Sequence, residues 1–131
     1  MNPQVVEEVP LNIVEVKEML RKIKDRDQEL NFRAQKTAEY LEAIQTIKPK
    51  QAKELKEKLE ALEIPRVKEA QVQKIIDIMP KTVDGVKTVF SGLNISVTAD
   101  NVKKVATLIN EYALEAPKKK EEAREEVAAT E

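Results

Sequence analysis

The sequence predicts a mainly α-helical bundle of about six helices, with a short N-terminal extended segment or strand and a charged C-terminal tail. Apolar residues recur at the i, i+3, i+4, i+7 spacing of amphipathic helices along most of the chain. Prolines and capping residues interrupt this pattern where helices would begin and end. The 131 residues fit one domain, which we expect over residues 11–116, between an extended segment at 1–10 and a charged flexible tail at 117–131.

Composition narrows the classes of function. The chain has 23 basic and 24 acidic residues, so its overall charge does not indicate a field that binds polyanions. It has no cysteine and therefore no disulfide framework or thiolate zinc site. No apolar run approaches the roughly 20 residues of a membrane span, and no signal peptide is visible at the start. We expect a cytoplasmic protein without a membrane partner.

The N-terminal segment, residues 3–10, is too short and too closely bounded by prolines for a helix. Val5, Val6 and Val9 favour an extended conformation. A lone strand is not stable by itself. The segment therefore either lies across the helices or pairs with the sheet edge of another chain.

The first helix is predicted over residues 11–23. Asn12 and Glu15 have the spacing of a capping box. One stripe of the helix is predicted to be buried, and its members are Val16, Met19, Leu20 and Ile23.

The second helix is predicted over residues 28–46, with Asp25 or Asp27 as its cap. Phe32 lies about 200° around this helix from Leu30, nearly opposite its apolar face. An aromatic residue there is either a scattered exposed side chain or a contact for a partner.

The third helix is predicted to begin at Pro49, which suits a first helical turn. Lys48, Lys50 and Lys53 form a small basic cluster nearby, either a solvated turn or a weak contact for nucleic acid. A fourth helix is predicted over residues 67–79 and a fifth over residues 83–93. A sixth follows, capped by Thr98 or Asp100.

The corner between the fourth and fifth helices is the most apolar part of the chain. Ile75, Ile76, Ile78 and Met79 leave only Asp77 polar in the last turn, which predicts burial on more than one side. Pro80 is expected to end that helix. Thr82 can then cap the next one, and Gly92 or Asn94 can occupy the left-handed position after it.

The residue types argue against catalysis. There is no histidine, so neither Ser91 nor Ser96 has an imidazole base. Two isolated glycines cannot form a phosphate-binding loop. The carboxylates alternate with lysines on helix faces, as on a solvated surface. We therefore predict no catalytic residues, no metal, no cofactor and no small-molecule substrate, and a helical scaffold that binds a partner.

The stretch IIDIMPKTVDGVKTVFSGLN resembles the most characteristic part of the family of the F subunit of archaeal DNA-directed RNA polymerase, the counterpart of the fourth-largest subunit of RNA polymerase II. Asp77, Ile78 and Pro80 match the family's Asp-Ile-x-Pro turn. The opening VVEEVPLNIVEVKEML is similar to the family's short strand and first helix, and the resemblance extends over about residues 3–115. Gly85 departs from it, since the family more often has a helix-forming residue such as Glu.

The resemblance implies a noncatalytic subunit with an HRDC-like helical bundle. Such a subunit forms a heterodimer with the polymerase's E subunit, the barrel subunit, whose S1-type barrel binds RNA. The pair forms a stalk near the RNA exit path of the polymerase core, supports initiation and elongation, and contacts nascent RNA weakly. The alternative is a free-standing HRDC-type nucleic-acid-binding module. We expect the partner interface to include Val5, Val6, Val9, Phe32, Ile76, Asp77, Met79, Pro80 and Val83.

Overall fold

The computed structural model describes residues 2–44 and 47–113, and this part of the chain is mainly α-helical, as predicted. The tail predicted at residues 117–131 lies outside the described residues. Residues 2–12 run without a helix, turn or bend. The helices are α1 Ile13–Asp27, α2 Phe32–Ile44, α3 Pro49–Ala61, α4 Glu69–Ile78, α5 Val83–Gly92 and α6 Ala99–Ala113.

Helix α3 lies at the centre of the fold and packs against α1, α4 and α6, while α5 packs against α6. The core contains Leu55 of α3, Ile75 of α4, Phe90 of α5 and Ile109 of α6, all nearly inaccessible to solvent. Val14 is the one fully buried residue of α1. The core is thus built by α3–α6, and α1 covers one side of it.

Helices α1 and α2 form a hairpin at the edge of this core. Helix α2 packs mainly against α1, and an ion pair joins Lys17 to Glu42. Leu41 is buried but does not belong to the main core cluster. The prediction of a buried stripe on α1 was wrong for Met19 and Ile23, which are exposed. Only the first turns of α1 contact the core, and the rest of this helix packs against α2.

The boundary between α1 and α2 also differs from the prediction. Helix α1 continues to Asp27 and ends at Gln28, which has a left-handed backbone (φ 62°). The cap of α2 is Asn31, whose Oδ1 accepts a hydrogen bond from the Ala34 N–H (2.8 Å). Asp25 and Asp27 lie inside α1 and so cannot cap α2. The helix outlasts its apolar pattern because residues 24–27 include neither glycine nor proline.

The corner between α4 and α5 has the predicted break. Met79 follows α4 in a left-handed conformation (φ 52°, ψ 57°), and its N–H donates to the Ile75 carbonyl (2.8 Å). Thr82 caps α5 by accepting from the Gly85 N–H (3.0 Å). A Cβ on Gly85 would lie 3.0 Å from Thr82 Oγ1 and 3.4 Å from Pro80 Cβ, so glycine suits this tight corner.

The ends of the last two helices settle two alternatives. Asn94, not Gly92, has the left-handed conformation after α5 (φ 56°). Thr98 caps α6, with the Asn101 N–H 3.4 Å from its Oγ1 and the Val102 N–H donating to its carbonyl. Asp100 lies in the first turn of α6, where the helix dipole stabilises a negative charge.

Candidate partner interface

Residues 3–9 of the N-terminal segment project from the helices and do not lie across them. Val5, Val6 and Val9 are 77%, 95% and 58% exposed. Within the described part of the chain, the backbone groups of residues 4–9 make no hydrogen bond. The segment therefore offers unpaired donors and acceptors together with apolar side chains, as an unpaired strand does.

Asn12, one residue before α1, joins the segment to the helices. Its Oδ1 accepts from the Glu15 N–H (2.9 Å), which confirms the predicted cap. Its Nδ2 donates to Glu15 Oε1 (3.0 Å) and to Gln73 Oε1 (2.8 Å). Both Asn12 and Gln73 are buried. The usual reciprocal bond of a capping box is thus replaced by a contact between the Asn12 and Glu15 side chains, and Gln73 of α4 completes the cluster.

Asp77 also takes part in this connection between α4 and the start of α1. The Ile13 N–H, the first of α1, donates to Asp77 Oδ1 (2.7 Å). Burial raises the pKa of the Asp77 carboxyl above its ordinary value, while the Ile13 N–H and the charge of Lys74 oppose that rise. The carboxylate therefore receives a donor from the start of α1 but lies in a poorly solvated place.

The remaining predicted interface residues fall into two groups. Phe32 is exposed at the start of α2, with Lys36 Nζ 5.7 Å from the centre of its ring. Ile76, Met79 and Pro80 are buried, and Val83 is half-buried against the same core. Only Ile78 of the last turn of α4 is exposed.

The structure thus brings Asp77 next to the root of the N-terminal segment but does not bring Phe32 to the corner, because α2 packs mainly on α1. Placement of these residues in a partner interface stays a prediction. Among these residues, Val5, Val6, Val9 and Phe32 are exposed in the free chain, and Asp77 and Val83 are half-buried. Sequence reasoning missed Gln73, because it stands with Lys74 as a polar pair between Val72 and Ile75 and shows no local sign of burial.

Two surface clefts offer little chemistry. One, of about 460 Å³, lies between α1 and α3 and is lined partly by Glu15, Lys53 and Lys56. The other, of about 510 Å³, follows the link from α5 to α6. Among the residues that the structure describes, no group of three or more side chains could hold a metal ion. No helix there is long and apolar enough to cross a bilayer.

The family model described as RNA polymerase Rpb4 matches residues 8–113, well over half of the chain. The chain belongs to the RNA polymerase Rpb4 family. Members of this family are noncatalytic subunits of RNA polymerase, so the chain is assigned to transcription and to a polymerase complex. The match spans all six helices and the connection made by Asn12, Gln73 and Asp77. Comparison with curated proteins finds no match.

Proposed function

We propose that this member of the Rpb4 family is the F subunit of an archaeal RNA polymerase and acts in the cytoplasm. It pairs with the E subunit, the barrel subunit, and the two form a stalk near the RNA exit path that supports initiation and elongation. Its helices form an HRDC-like bundle whose role is to carry the contacts with the barrel subunit and, through it, with the polymerase core. Contact with nascent RNA is weak and made mostly by the barrel subunit.

The observation that supports this proposal most strongly is the exposure of the N-terminal segment. Its three valines are exposed, and residues 4–9 make no backbone hydrogen bond in the part of the chain that the structure describes. An extended segment of this kind gains main-chain hydrogen bonds when it adds to the edge of another chain's sheet. Because the family places this chain in a multisubunit enzyme, a sheet edge of the barrel subunit is the partner that we propose.

Other apolar surface can enlarge the contact. Obligate interfaces commonly bury upwards of about 2,000 Å² in total, more than a seven-residue segment supplies. Phe32 adds an exposed aromatic ring, and aromatic residues are enriched in interfaces. We include Asp77 and Val83 because they lie beside the root of the segment and the corner. Ile76, Met79 and Pro80 are buried in the free chain, so we assign them to the packing of the corner.

The second candidate function is a free-standing HRDC-type module that binds nucleic acid. Lys48, Lys50 and Lys53 are all exposed around the start of α3 and would favour it. The formal net charge of −1 does not, because polyanion binding usually relies on a strongly basic surface.

The experiment that tests the proposal is co-purification. The tagged chain is expected to isolate a polymerase with one copy of the chain per enzyme. Val6→Asp is expected to abolish this association, because a charge at the centre of the added strand is desolvated in the complex. Tyr40→Asp, which also places a charge on an exposed residue but outside the predicted interface, is expected to retain it. Isolation of the chain without any polymerase subunit would refute the proposal.

A further inference from the structure

Two side chains of α4 hold the point where the N-terminal segment joins the helices. Gln73 and Asp77 lie one turn apart on α4 and therefore on one face. Gln73 Nε2 donates to the Pro10 carbonyl (3.1 Å), and Asp77 Oδ1 accepts from the Ile13 N–H (2.7 Å). These bonds fix the chain on both sides of residues 11 and 12.

Gln73 is the centre of this connection. It is only 2% exposed and Asn12 only 1%, at positions where apolar residues are usual. Besides Pro10 and Asn12, Gln73 contacts the Glu15 carboxylate, with Nε2 3.2 Å from Oε1. Both ends of its amide therefore have partners. A buried amide satisfied in this way favours one arrangement, because any other leaves a polar group unpaired.

The bond from Gln73 to Pro10 is not needed to cap α1. Asn12 Oδ1 already accepts from Glu15, and Asp77 already accepts from Ile13. The Pro10 carbonyl lies before the helix, in the part of the chain that leads into the exposed valines. Since the ring of Pro10 also restricts its own φ, the direction in which residues 3–9 leave the helices is restrained twice.

We propose that Gln73 is a positioning residue that holds the root of the N-terminal segment, so that residues 3–9 are presented in a fixed direction for addition to a partner's sheet edge. This inference rests on the proposed function for the identity of the partner, the barrel subunit. Gln73 itself need not touch that partner. It acts by lowering the conformational entropy that the segment loses on binding.

The first test uses the free chain. Because the chain has no cysteine, spin labels can be placed at Glu8→Cys in the segment and Lys104→Cys on the exposed side of α6. Gln73→Met keeps a similar volume but cannot donate to Pro10 or accept from Asn12. We expect Gln73→Met to broaden the distribution of distances between the labels at least twofold. A distribution as narrow as that of the unsubstituted chain would overturn the inference.

Two further variants separate positioning from stability. Gln73→Ala leaves room for water near Asn12 and the Pro10 carbonyl, so it replaces Gln73→Met if that variant does not fold. Ile109→Val lowers stability from within α6, far along the chain from the connection. It is expected to leave the distance distribution unchanged.

The second test measures the affinity of each folded variant for the purified barrel subunit. Gln73→Met should free the backbone of about one residue, so its affinity is expected to be about tenfold weaker. The affinity of Ile109→Val is expected to stay within about twofold of that of the unsubstituted chain. An affinity of Gln73→Met within twofold of the unsubstituted chain would overturn the inference and leave the proposed function standing. If the unsubstituted chain does not bind the barrel subunit, the proposed function fails, and the label distances alone then decide whether Gln73 holds the segment.

Discussion

At the scale of single residues, burial separates two kinds of apolar side chain that the sequence presents alike. Val6 is 95% exposed, whereas Ile76 and Met79 are 1% and 7% exposed. All three were predicted to contact a partner. Ile76 and Met79 belong to the core cluster, whereas Val6 lies in the segment that precedes the first helix.

Aspartate substitutions should therefore have opposite effects at these positions. Ile76→Asp is expected to unfold the free chain, since an unpaired buried charge costs several kcal/mol, comparable with the whole stability of a small domain. Val6→Asp should change the free energy of unfolding by less than about 0.5 kcal/mol. Circular dichroism during urea unfolding measures both. A cooperatively folded Ile76→Asp variant of unchanged stability would show that Ile76 is not a core residue.

The carboxylate of Asp77 predicts a pH dependence of stability. Burial raises the pKa of Asp77 in the folded protein, so the folded state binds this proton more tightly than the unfolded chain. The free energy of unfolding due to this group should then fall as pH rises from its ordinary pKa of 3.8 through the raised value. Above that window its contribution stays constant.

Asp77→Asn tests this directly, because the amide oxygen can still accept from Ile13 but carries no charge. At neutral pH the variant should be at least as stable as the unsubstituted chain. The difference between the two should shrink as the pH is lowered through the window. Asp77→Ala removes the acceptor and should cost about 1 kcal/mol. An advantage of Asp77→Asn that grows toward acid pH would contradict the assignment.

At the scale of helices, the hairpin of α1 and α2 differs from the rest of the fold. Helix α2 packs mainly on α1, and Leu41 is its one fully buried residue among those described. Regions with few buried apolar contacts open more readily than the core. The hairpin is therefore expected to be the least stable helical part of the domain.

Leu41→Ala should accelerate backbone amide exchange in α2 by about tenfold or more while leaving α3 and α6 unchanged. Leu55→Ala is the matched control, because Leu55 lies at the centre of the core in α3. That variant should cost about 2–5 kcal/mol and accelerate exchange throughout. Exchange measured by mass spectrometry distinguishes the two, and an equal acceleration in all helices by Leu41→Ala would show that the hairpin unfolds only with the core.

The number and order of the helices could be predicted because their signals are local. Thr82 and Pro49 act within one turn of their own helices, and both were identified correctly. The end of α1 could not be predicted, because Gln28 adopts a left-handed conformation without being glycine or asparagine. The role of Gln73 depends on residues about 60 positions earlier, and nothing in local periodicity reports such a contact.

At the scale of the whole molecule, the balance of charge separates the proposed function from its alternative. The three exposed lysines near the start of α3 could neutralise about three phosphates. For single strands this corresponds to a slope of log affinity against log salt of about −2. The free chain should therefore bind single-stranded RNA weakly and with a shallow salt dependence. Submicromolar binding at physiological salt would favour the free-standing nucleic-acid module instead.

In the proposed complex the N-terminal segment becomes a strand of the partner's sheet. Backbone amide exchange of residues 4–9, measured with and without the barrel subunit, tests it most directly. Because alternate N–H groups of an added strand face the neighbouring strand, about half of these amides should become strongly protected in the complex. Peptides from α6 serve as the internal control and should not change. A one-to-one complex in which residues 4–9 exchange as fast as in the free chain would contradict the claim.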